Sequence, residues 1–80
     1  MENRIAILGI FIQDLNQSAA VNAQLHAYSN YIVGRLGLPY RDRNMSIICI
    51  VLDAPNDMIN ALSGKLGRLP GVRAQAQYAK

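Results

Sequence analysis

His26 and Cys49 are the only histidine and the only cysteine in the sequence. A zinc or nickel centre of nitrogen and sulfur donors needs three or four such ligands, and no second histidine and no Glu-x-x-His spacing accompanies them. A metal site would therefore have to combine His26 and Cys49 with groups from another chain. His26 follows an apolar position, Leu25, where a boundary histidine hydrogen-bonded to backbone is the plain structural role. Cys49 lies inside an apolar run, where a thiol behaves as a small buried hydrophobe and is hard to reach as a nucleophile.

The five acids are Glu2, Asp14, Asp42, Asp53 and Asp57. None falls on an apolar stripe where burial would tune it for proton transfer. Asp42 sits between Arg41 and Arg43 in a turn, and Asp53 and Asp57 suit the start of a helix. Nucleophile, base and charge stabiliser are not assembled, so the reading is a non-enzyme without a cofactor. Arg35, Asn44 and Lys65 are polar donors that, with His26, could converge on an anion or small-molecule effector at an interface. The run Ser63-Gly64-Lys65-Leu66-Gly67 shares residue types with a phosphate loop. It lacks the spacing of one and falls in the later turns of a helix, where no free N–H groups point outward. Gly64 is expected instead to thin that helix so that another element packs closely.

The elements that must position these residues follow from periodicity. Arg4 to Ile12 is a β-branched, almost continuously apolar run, read as a strand buried on both faces. From Ser18, Val21, Leu25, Tyr28 and Ile32 recur at helical spacing. Gly34, Gly37 and Pro39 favour a short strand over residues 33–38, followed by a polar connection from Tyr40 to Asn44. Met45 to Leu52 repeats the character of the first strand and pairs with the second as a hairpin. Asp53-Ala54-Pro55-Asn56-Asp57 reads as a helix start; Ile59, Leu62, Leu66 and Leu69 form its apolar stripe, and Gly67 its C-terminal cap. Pro70-Gly71 ends it, and Val72 to Tyr78 alternates as a half-exposed edge strand.

The order β-α-β-β-α-β is a split βαβ unit, which predicts an α+β, ferredoxin-like sandwich over a single domain, residues 1–80. Its four-stranded antiparallel sheet has two helices on one face. Right-handed crossovers make the first and third strands central, and these are the two most apolar. The other sheet face is then uncovered. Both alternating sets on the central strands are apolar, so the exposed patch draws on Ile5, Ile7, Phe11, Leu8 and Ile10 and on Ile47, Cys49, Ile48 and Ile50. Whichever set is exposed, about 300–800 Å² of apolar surface needs a cover, and a homo-oligomer, dimer or tetramer, is expected.

Eight Lys and Arg against five Asp and Glu give a net charge of +3. The basic residues, Lys80 among them, are scattered, so direct nucleic-acid binding by this chain alone is not expected. No segment approaches the roughly 20 apolar residues of a membrane span. A lone cysteine and the absence of a secretory layout point to the cytoplasm.

Leu25-His26, Arg35-x-Gly37-x-Pro39, Asn44-Met45, the block Ala61 to Gly67 and Gly71-Val72-Arg73 together resemble the iron-only hydrogenase system regulator family, over about residues 4 to 78. The resemblance implies an ACT-like fold, related in shape to the C-terminal domain of the nickel-responsive repressor, and a regulatory role linked to hydrogenase or transcription control. That repressor's effector site draws on several histidines and a cysteine across an interface, where this chain offers His26 and Cys49. Amino-acid-binding ACT domains commonly place glycine after the first strand, where this chain has Gln13-Asp14-Leu15-Asn16.

Overall fold

The computed structural model describes residues 2–79, leaving Lys80 outside the described residues. The elements are β1 (Asn3–Ile12), α1 (Ser18–Ala27), β2 (Ile32–Tyr40), β3 (Met45–Pro55), α2 (Asn56–Gly67) and β4 (Val72–Tyr78). All strand pairs are antiparallel and the sheet order is β2-β3-β1-β4, the expected arrangement with the apolar strands in the centre.

One alternating set from each central strand faces the helices: Ala6, Leu8, Ile10 and Ile12 from β1, and Ile48, Ile50, Leu52 and Ala54 from β3. Val21 and Leu25 of α1 and Ile59, Leu62 and Leu66 of α2 close the core over them. Each fully buried Leu or Ile contributes about 1.5–3 kcal/mol relative to an exposed one. The two-faced apolar pattern is thereby resolved. Leu8, Ile10, Ile48 and Ile50, named above as possible interface residues, are 5% exposed or less and belong to this core.

Four local expectations are corrected. The helical stripe does not reach Ile32: α1 ends at Ala27, a 3-10 turn spans Ser29–Tyr31, and Ile32 opens β2 opposite Leu52. Two β-branched residues followed by Gly34 favour the strand there over another helical turn. Asp53 and Ala54 are still on β3, paired with Ile5 and Arg4, and Pro55 is extended at ψ 146. Asp57 alone of the two acids stands in the first turn of α2. The glycine that turns the chain after α2 is Gly71, at φ 70, while Gly67 is the last helical residue and Arg68 the cap. Finally, a Cβ at Gly64 would meet nothing within 4 Å, so no other element among the described residues packs against it.

The two sheet edges differ. On β2 the register shifts between Ile32 and Gly34, and Pro39 removes a backbone donor. β4 is regular from Val72 to Tyr78.

Candidate functional site

Because side chains alternate along a strand, the residues between the core positions form the face turned away from the helices. On β1 these are Ile5, Ile7, Gly9 and Phe11; on β3, Ile47, Cys49 and Val51 stand beside them, half-buried. Cys49 is thus on the open face and not in the core. β2 adds Leu36, Leu38 and Tyr40, which pair with Cys49, Ile47 and Met45. These three were missed from the sequence, although their period-two spacing in a short strand was the signal for them. β4 contributes a polar border, Arg73, Gln75 and Gln77, opposite Phe11, Gly9 and Ile7.

The face is apolar and unusually bare. Ile5, Ile7, Phe11 and Tyr40 are 45–47% exposed, Leu38 51% and Leu36 67%. At roughly 60–120 Å² each, these six present about 400–700 Å² of apolar surface, at or above the largest patch of a typical monomer. Two depressions on it share Gly9 and Phe11 in their lining. One depression of about 420 Å³ is lined by Ile7, Gly9, Phe11 and the β4 glutamines, and a second of about 250 Å³ by Gly9, Phe11, Arg73 and Gln75.

The polar residues singled out above lie on the other side of the sheet or at its end. His26 is exposed on α1. One turn earlier on the same helix, Asn22 accepts a 2.6 Å hydrogen bond at Oδ1 from Nη2 of Arg35. Lys65 on α2 donates from Nζ to the Tyr28 hydroxyl at 3.0 Å and lies 5.2 Å from the centre of that ring. Arg35 and Lys65 therefore flank the C-terminal half of α1, each held by a neutral partner. Asn44 stands apart, in a left-handed conformation at φ 49 between Arg43 and β3. Arg35 is opposite Ile50, six residues along β3, which puts Asn44 about 20 Å away from it. Asn44 instead lines a groove of about 430 Å³ with Leu15, Ser18, Tyr40 and Arg41.

His26 and Cys49 are on opposite sides of the sheet and cannot share a metal within one chain. Among the described residues, no group of three or more His, Cys, Asp or Glu is placed to hold one. No helix among them is long and apolar enough to cross a membrane.

Comparison with known proteins adds relationship to geometry. The family model described as "TM1266-like: Iron-only hydrogenase system regulator, putative" matches residues 4–76. The solved structure of the uncharacterized protein TM1266 from Thermotoga maritima is 45% identical, with a TM-score of 0.93 over 99% of this chain and 100% of that one. Two further structures share the fold alone. The C-terminal domain of the MgtC protein from Mycobacterium tuberculosis is 17% identical, with a TM-score of 0.69 over 96% of this chain and 88% of that one. A formyltetrahydrofolate deformylase from Pseudomonas putida KT2440 is 14% identical, with a TM-score of 0.65 over 91% of this chain and 28% of that one. No curated protein matches the sequence. The family match spans both helices and all but the end of β4, and the 45% identity runs through nearly the whole fold, so the chain belongs to the TM1266-like family of iron-only hydrogenase system regulators.

Proposed function

We propose that the chain is a non-catalytic, ACT-like regulatory module of the cytoplasm that assembles with copies of itself. It modulates a partner in the iron-only hydrogenase system, or a related transcription pathway, through a small-molecule or anion effector bound at a subunit interface. The observation that carries the reading is the apolar sheet face: six large side chains about half exposed or more, with no element among the described residues to cover them. Family membership supports the regulatory part, and the absence of an assembled acid, base and nucleophile supports the non-catalytic part.

Size-exclusion chromatography with light scattering tests the assembly. A dimer or tetramer at micromolar concentration is expected; a clean monomer of 8.8 kDa overturns the reading. A thermal-shift screen over amino acids, nucleotides and simple anions tests the effector, because a ligand that binds the native state raises apparent stability by RT ln(1 + [L]/Kd).

A second reading, a metal or anion sensor around His26, is favoured by one arrangement. Arg35 and Lys65 flank the histidine's helix and are held by Asn22 and Tyr28, neither of them a carboxylate. Positive charge there is left to attract an anion. For a metal, the site needs ligands from a second chain, and a sheet-to-sheet dimer leaves His26 on its outer surface. The sensor reading thus requires a different interface, on the helix layer. Metal content and anion-induced thermal shifts of the wild type and His26→Ala separate the two readings. Loss of either signal in the variant supports the sensor, and no signal in the wild type removes it.

A further inference from the structure

Glycine inside a central strand is a cost that something must explain. It has no side chain to pack and loses the most backbone freedom on ordering. Gly9 is in the middle of β1, paired with Cys49 on one side and Gln75 on the other. It does not adopt the left-handed conformation, where glycine is preferred. A Cβ built there meets nothing within 4 Å. No neighbour among the described residues requires this glycine, and it lines two depressions of the bare apolar face.

We infer that Gly9 is a socket for a second copy of the chain: the open faces of two copies pack together about a two-fold axis near Ile10, and Phe11 of each fills the depression over Gly9 of the other. The inference rests on the oligomer reading above and specifies it. Facing sheets lie about 10 Å apart, and normally each supplies half of the intervening side-chain layer. Opposite a glycine, one side chain must fill both halves. Phe11 is the longest side chain on the open face of β1, and it is two residues from Gly9 on the same side of the same strand. An axis between them, with β1 running antiparallel over its copy, makes both contacts at once, as a self-complementary two-fold interface requires. The area agrees. The apolar patch with its half-buried neighbours Ile47, Cys49 and Val51 approaches the roughly 800 Å² that each partner contributes to a standard interface. The apolar centre is bordered by Arg73, Gln75 and Gln77, the usual order of dry core and polar rim.

Cys49 reports on the arrangement. In this geometry it lies beneath the partner sheet, whereas a dimer formed by pairing strand edges leaves the face, and the thiol, open. The alkylation rate of Cys49 by a maleimide is therefore expected to fall as protein concentration rises through the dimer Kd. Gly9→Val fills the socket and is expected to weaken dimerisation roughly tenfold or more through overpacking, with an unchanged circular dichroism spectrum and a fast-reacting thiol at all concentrations. Phe11→Ala, at a position exposed in the single chain, is expected to weaken it comparably. Pairing a smaller plug with a shallower socket, in Gly9→Ala with Phe11→Leu, is expected to bind more tightly than the two single losses combine to predict. A wild-type monomer overturns both this inference and the oligomer reading. An oligomer in which Cys49 is not protected, or in which Gly9→Val and Phe11→Ala bind like wild type, overturns the socket and leaves the oligomer reading in place.

Discussion

At Gly71 the chain turns at φ 70, and a Cβ there would stand 2.6 Å from the Cβ of Asp14. The same residue accepts a 2.7 Å hydrogen bond from the Gln13 N–H, so the turn before β4 is clamped to the loop before α1. Gly71→Ala is expected to cost about 2–4 kcal/mol, the sum of left-handed strain and a backbone-anchored clash, measured by urea unfolding. Gly64 is the opposite case. It is helical, with nothing within 4 Å of a built Cβ, and Gly64→Ala is expected to stabilise the chain by about 1 kcal/mol in the same measurement. The two glycines look alike in the sequence, where a Pro-Gly pair at least marks the first as a turn. The separation of Asn44 from Arg35 was not legible, because it depends on how far β2 and β3 extend as a pair, and β2 runs on through Pro39 to Tyr40.

The order of the elements was legible because strands and helices here differ in both period and composition. β4 was bounded to the residue by Pro70-Gly71 and by strict alternation from Val72 to Tyr78. What the pattern did not carry was the side of the sheet. With Ile, Leu, Val or Phe in both alternating sets of β1 and β3, a period of two is silent about which set meets the helices. Gly9 held the missing information, since a row containing a residue without a side chain serves a core poorly. The boundary between α1 and β2 was also obscured, because Tyr28 and Ile32 continue the helical spacing by coincidence; Ile32 in fact pairs with Leu52. A contrast between faces tests the assignment. Ile50→Ala, on the helix side, is expected to lose about 2–5 kcal/mol of unfolding free energy. Leu36→Ala, on the open face and 67% exposed, is expected to change it by under about 1 kcal/mol under dilute, monomeric conditions.

For the molecule as a whole, the proposed association would support a core of this size and link stability to concentration. The midpoint of thermal unfolding is expected to rise with protein concentration in the wild type and to be nearly flat in Phe11→Ala, as scanning calorimetry over a hundredfold dilution series will read. The unequal sheet edges bear on a different hazard. Fibres grow when one edge of a sheet accepts the opposite edge of the next molecule, and so on without end. Here the β2 edge is interrupted by the bulge between Ile32 and Gly34 and by Pro39, while the β4 edge is regular. Pairing through the one intact edge can join only β4 to β4, which uses up both and terminates after a single step. The interruptions in β2 thus stand in the way of open-ended polymerisation of a chain with so much bare β-sheet, and repairing them, with Pro39→Val as the first change, is expected to promote aggregation, read by light scattering against the wild type.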